Sequence, residues 1–248
     1  MSDPHPFSKF IRALGRGPTL SRPLTREEAR SAMAMILAGD VEPVQLGAFL
    51  MLLRYRTETP EELAGFIEAV RETIDLPSGA RPPDLDWPSY ADRHKQLPWF
   101  TLAALTLAQN GVRVLMHGIP GESEGYMPTR SALAAIDIKP CTSIAQAFEH
   151  LDQTGFAYLP IESFAPELYT LFGLRPFFGL RSTVNSLSRA LNPLGANAQI
   201  QGVFHPNYRN LHIKAGHILE QPEAVVFKGG GGEGQRNPDK PCQSMRLE

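Results

Sequence analysis

Thr59-Pro-Glu-Glu-Leu-Ala-Gly-Phe-Ile-Glu-Ala-Val70 specifies one amphipathic helix together with its starting signal. The Thr59 hydroxyl is placed to accept from a first-turn amide, and Glu62, three residues on, to reach back to the cap amide. Pro60 falls in the first turn, where a missing N–H costs little. Leu63, Phe66, Ile67, Val70 and Ile74 then recur at helical spacing. The same device stands at Thr25-Arg-Glu-Glu28, followed by Ala29, Met33, Ile36 and Leu37, with Gly39 as the stop. Between the two, Pro43 opens a helix whose apolar stripe reads as Val44, Ala48, Met51 and Leu52. Residues 21–77 are therefore predicted to form a small all-helical domain, after an N-terminal arm over residues 1–20.

Residues 78–90 change character, and Gly79, Pro82, Pro83 and Pro88 read as a linker. Beyond it the pattern alternates. Short apolar runs at Val112–Met116, Phe156–Ile161, Ile200–Phe204 and Ala224–Phe227 read as strands, and Phe100–Gln109 and Ile144–Leu151 as helices. Ser143 with Gln146 caps the latter helix and Gly155 closes it. Strand–helix–strand order predicts an α/β domain over residues 91–248 with a mostly parallel sheet.

The chain has 248 residues, 42% of them hydrophobic, enough for a substantial core. No apolar run is long enough to span a membrane. Cys141 and Cys242 are its two cysteines, a pattern that fits reduced thiols in a cytoplasm. The net charge of −2 hides an asymmetry: residues 175–248 hold nine Lys/Arg against five Asp/Glu. A local basic field holds phosphates even on an acidic chain, because distant charges are screened within about 10 Å.

Leu24-Thr-Arg-Glu-Glu-Ala-Arg30, Ile36-Leu-Ala-Gly-Asp-Val-Glu-Pro-Val-Gln45 and Glu58-Thr-Pro-Glu-Glu-Leu-Ala-Gly65 resemble the helical domain of anthranilate phosphoribosyltransferases and related nucleoside phosphorylases. The likeness continues through Met116-His-Gly118, Arg175 to Asn185 and Leu191-Asn-Pro193. It implies a discontinuous helical domain that also takes in residues from about 163 to 192, and a homodimer formed through that domain. It also implies a domain shortened at its C-terminus, since family members continue past Leu247-Glu248.

The resemblance breaks at the motifs that carry the family's chemistry. Where the family has a Gly-Thr-Gly-Gly-Asp-Gly loop for pyrophosphate, this chain has Tyr90-Ala-Asp-Arg-His-Lys95. Bare backbone must approach phosphates closely there, which makes glycine a physical requirement. The family's Lys-His-Gly-Asn becomes Met116-His117-Gly118-Ile119, and its magnesium-holding Asp-Glu pair reduces to Glu233. Arg175 aligns with the arginine that contacts the aromatic acid. This pattern is similar to the YbiB-type branch, which is associated with sequence-independent DNA and RNA binding.

Arg93, His94 and Lys95 form a basic loop entering a helix, where cations and amides meet; a solvated cap is the plainer alternative. His117, Arg175, Arg181 and Lys214 are candidates to extend a basic groove, with Arg189 beside them. Lys228, Arg236 and Lys240 flank Gly229–Gly232, which reads equally as a phosphate clamp or a hinge. Trp99 stays open between base stacking and packing, whereas Phe100 reads as core. His205, His212 and His217 lack the spacing of a metal site. The expected function is sequence-independent binding of DNA or RNA by a homodimer, without catalytic residues, metal or cofactor. The alternative is a magnesium-dependent phosphoribosyltransferase acting on an aromatic acceptor.

Overall fold

The computed structural model describes residues 3–91, 96–121 and 126–247. Four helices open the chain: α1 (Ser8–Gly15), α2 (Arg26–Leu37), α3 (Pro43–Arg56) and α4 (Pro60–Arg71). Both capping boxes form as read. Glu62 does more than cap. Its Oε2 accepts from the Thr59 amide and its Oε1 from the Leu24 amide, each at 2.8 Å. One buried carboxylate thus ties the start of α4 to the start of α2. Burial raises its pKa while the two amides pull it back down.

Two details of this region correct the sequence reading. The arm is part of the domain, because Phe7, Phe10 and Leu14 are buried in the helical core. Phe7 meets Phe10 and Phe49 edge-on, with ring centroids 5.4 and 5.1 Å apart, contacts each worth about 0.5–1.5 kcal/mol beyond area burial. The buried face of α3 is Phe49, Leu50 and Leu53, and Val44 is 78% exposed. Nearly every side of α3 is apolar, so periodicity alone could not choose the inward one.

The sheet strands are β1 (Leu85–Ser89), β2 (Val114–Gly118), β3 (Phe156–Pro160), β4 (Ala198–Val203), β5 (Glu223–Lys228) and β6 (Ser244–Leu247), in the spatial order β3-β2-β1-β4-β5-β6. The first five are parallel, and β6 pairs antiparallel with β5 at the edge. The intervening helices are α5 (Phe100–Gln109), α6 (Thr129–Ala134), α7 (Ile144–Thr154), α8 (Pro166–Phe172), α9 (Arg175–Phe178), α10 (Val184–Arg189) and α11 (Tyr208–Ile218). Ser143 and Gly155 delimit α7 as expected. Leu168, Leu171, Val184 and Leu187, from α8 and α10, join the core of the first four helices.

The largest correction is β1. Leu85–Ser89 was expected to be linker and is instead an interior strand. It pairs with β2 along all five residues, but with β4 only at Leu85 and Asp86. The Leu85 amide donates toward β2, so strand alternation points position 88 toward β4, where Pro88 has no N–H to give. β1 and β4 therefore part after Asp86.

Gly65 marks the closest approach of α4 to α2. A Cβ there would overlap the Arg26 carbonyl oxygen and press on Ala29. Gly65→Ala is expected to destabilise the protein by about 1–3 kcal/mol, as overpacking against backbone does, and to lower Tm by several degrees in calorimetry. An unchanged Tm would show that the crossing has slack.

Candidate functional site

The C-terminal ends of the parallel strands open toward α8–α10, the side on which open α/β sheets hold ligands. A cavity of about 260 Å³ lies there, lined by four arginines: Arg54 from α3, Arg175 from α9, Arg181 between α9 and α10, and Arg189 from α10. Phe204 and His205 after β4, and Tyr208 and His212 of α11, complete it. A second, mostly apolar cavity of about 400 Å³ adjoins it, with Tyr169, Phe172 and Phe178 in its lining and Arg175, Ser182 and Asn185 shared.

Arg175, Arg181 and Arg189 are packed close enough to feel one another. Burial, with the nearby charge of Arg181 adding to it, lowers the pKa of Arg189 to about 10. Arg175 is lowered by burial and then by Arg181. Arg54 donates to the Tyr208 hydroxyl at 3.1 Å. Arg181 thus lies near enough to Arg189 and Arg175 for their like charges to repel.

Beneath the cavity runs a buried polar chain. Gln199 Nε2 donates to Asp86 Oδ2 at 2.8 Å, so Gln199 Oε1 accepts from Gln201 Nε2 at 2.5 Å. Gln201 Oε1 is left to take the Nδ1–H of His212 at 2.5 Å. On the other side of Asp86, His117 Nε2 lies 3.1 Å from Oδ1, although off the line of a good hydrogen bond. The Tyr90 hydroxyl, kept protonated by burial, meets His117 Nδ1 at 2.7 Å. Burial pushes the pKa of His212 down to about 3, with Arg189 adding to the shift.

At the end of β1 the space is closed by a strap, residues 229–235. Glu233 Oε1 accepts from the Ala91 amide at 2.8 Å and from Ser89 Oγ at 3.1 Å. Gln235 Oε1 accepts from the Phe100 amide at the start of α5, at 3.1 Å. Trp87 Nε1 donates to Gly234 O at 3.2 Å and Arg189 Nε to Gly232 O at 3.3 Å. A Cβ on Gly229 or Gly202 would overlap the Glu233 carbonyl oxygen. The glycine run is thus packed into place. The space left between Ser89, Ala91, Thr129 and Glu233 is about 10 Å³, roughly one water.

Among the described residues no three His, Cys, Asp or Glu side chains gather, and the Glu233 carboxylate already serves Ala91 and Ser89.

Of the residues singled out in the sequence, the structure brings Arg175 and Arg181 into the cationic cavity. Arg93, His94 and Lys95 lie outside the described residues. His117 is a correction: it is fully buried, and its ring serves Asp86 and Tyr90 rather than a surface ligand. Lys214, Lys228, Arg236 and Lys240 are exposed and do not line that cavity. Arg236 borders a separate cleft with Gln96, Leu97 and Trp99, and Trp99 is 59% exposed while Phe100 is core. Sequence reasoning missed Arg54, whose partner Tyr208 is 154 positions away. Nothing in the local pattern announces such a pair.

Comparison with known proteins agrees with the geometry of the scaffold. Residues 8–74 match the glycosyl transferase family helical bundle domain. The chain is 30% identical over 245 residues to the uncharacterized protein YbiB of Escherichia coli, covering 97% of this chain and 76% of that one. It is 34% identical over 220 residues to the anthranilate phosphoribosyltransferase of Gluconobacter oxydans, covering 87% of this chain and 59% of that enzyme. The crystal structure of the anthranilate phosphoribosyltransferase of Thermus thermophilus superposes with a TM-score of 0.80 at 26% identity, over 98% of this chain and 73% of that one.

His212 carries a pH signature. In an unfolded chain it binds a proton below about pH 6.5, whereas in the folded chain it stays neutral down to about pH 3. Stability is therefore expected to fall as pH drops through that window, by up to about 1.4 kcal/mol per pH unit from this group alone. In urea unfolding between pH 6 and 4, His212→Asn should flatten the slope by about one proton. An unchanged slope would mean that the imidazole is protonated in the fold.

Proposed function

The chain belongs to the glycosyl transferase family of the anthranilate phosphoribosyltransferases and YbiB, and from that premise we propose that it binds the sugar–phosphate backbone of DNA or RNA in the arginine-lined cavity. The observation that carries this reading is the convergence of Arg54, Arg175, Arg181 and Arg189 on one open cavity while the end of β1 is filled by Glu233. Backbone phosphates satisfy clustered guanidinium groups without regard to sequence. Phe204, half exposed at the rim, offers a face on which a base stacks. The basic C-terminal segment, residues 175–248, supplies the cleft with three of its four arginines.

Phosphoribosyl transfer to an aromatic acceptor is the second reading, and kinship favours it: the named relatives of known activity are transferases, at 34% identity. The apolar cavity beside Arg175 would take the acceptor, with the guanidinium on its carboxylate. That chemistry requires a held pyrophosphate leaving group, and the end of β1 has space for about one water. The chain spans between 59% and 76% of these relatives, so activity of the whole protein belongs to the proposal. Docking of a second copy is supported by the apolar outer side of α3, where Val44 and Tyr55 are 78% and 90% exposed. The proposed setting is cytoplasmic, where Cys141 and Cys242 remain thiols.

Titration of a fluorescein-labelled single-stranded oligonucleotide, followed by anisotropy at about 50 and 200 mM salt, separates the readings. Salt-steep binding indifferent to sequence is expected. Arg175→Ala and Arg181→Ala should each weaken it and lower the salt slope by about one. Affinity unchanged in both variants would remove the cavity from the interface. Magnesium-dependent pyrophosphate release with an aromatic acceptor would establish the second reading instead.

A further inference from the structure

The strap over residues 229–235 does something that neither nucleic-acid binding nor transfer requires. Three polar donors converge at the end of β1 and the start of α5: the Ala91 amide, the Ser89 hydroxyl and the Phe100 amide. Each is answered by an acceptor oxygen from the strap, Glu233 Oε1 for the first two and Gln235 Oε1 for the third. Such a ring of inward donors is what an oxyanion needs. Here the oxyanion is covalently attached, on Glu233, five residues beyond the end of β5.

The geometry points to Glu233 as a built-in anion: its carboxylate fills the Ala91 and Ser89 side of the donor ring at the end of β1, beside the Gln235 amide on the third donor, and shuts that ring to free phosphate compounds. The strap is shaped for this role. Gly231 and Gly232 take positive φ of 65° and 94°, reversing the chain so that Glu233 faces inward. Gly202, Gly229 and Gly234 leave the space that the Glu233 backbone and the Trp87 ring fill. Arg189 holds Gly232 from the cavity side, and Trp87 holds Gly234 from within the sheet. An attached carboxylate competes at a high effective concentration, so a dissolved polyphosphate meets an occupied ring while the arginine cavity stays open. The inference stands whether that cavity takes nucleic acid or a small substrate.

The test uses inorganic pyrophosphate as probe and the Trp87 indole N–H as a local reporter, because that proton is donated to the strap itself. Heteronuclear NMR of the full chain would follow the indole signal during titration. In the wild type the Trp87 signal is expected to stay unmoved by pyrophosphate, even if the arginine cavity binds it. In Glu233→Ala the signal should shift saturably, with affinity at least tenfold tighter than any wild-type response. Adding Ser89→Ala to that variant should weaken the gain. Glu233→Gln keeps the shape, removes the charge, and should show a smaller gain in the same direction. It decides the matter if the alanine variant does not melt cooperatively. A Trp87 signal that moves equally in wild type and variants, or in none of them, would overturn the inference.

Discussion

The buried guanidinium of Arg189 is the contact on which the site depends. Its Nη1 donates to the Asn185 carbonyl within α10, its Nη2 to Tyr90 O at the end of β1, and its Nε to Gly232 O in the strap. Three segments far apart in sequence meet at one planar group. A buried charge is expensive unless its donors are satisfied, and here backbone carbonyls satisfy them, with the Glu233 carboxylate contributing at longer range. The same cation therefore closes one part of the cleft, through the strap, and charges the other, through the cavity it lines. A shorter or neutral side chain at this position would lose both at once.

Where the chain could be read in advance, the controlling interactions were local. The two capping boxes, the stop at Gly39 and the Ser143–Gly155 limits of α7 depend on residues three or four apart, and the structure has each of them. Where the reading failed, the deciding partner lay far away or the local signal pointed the wrong way. Pro88 and the neighbouring prolines argued against a strand. β1 exists because β2 pairs with all of it and because its Asp86 carboxylate is met by Gln199 and His117. Glu233 was noticed only as the remnant of a metal pair, since its contact with Ala91 spans 142 positions. His117 is a basic-groove candidate in the sequence, while its burial is decided by Asp86 and Tyr90.

Kinship and site geometry speak to different questions. The scaffold is shared with the anthranilate phosphoribosyltransferases along nearly the whole of this chain. Fold is held by the helical core, the capping carboxylates and the sheet register, all of which survive here. Function resides in a handful of side chains at the strand ends, where this chain places Glu233, Arg189 and Ile119.

Pro88 leaves a consequence in the mechanics of the sheet. β4 and β5 are laced along six residue pairs and β1 and β2 along five, but the seam joining these halves holds only two. Below Asp86 the sheet is continuous; above it, the Trp87 indole and the strap do the joining that main-chain bonds do elsewhere. The sheet is in effect two well-laced halves joined along one short stitched edge. Thermal breathing concentrates where stitches are fewest, so amide-exchange protection should grade from high at the β1–β2 and β4–β5 pairs to low along the lip between them.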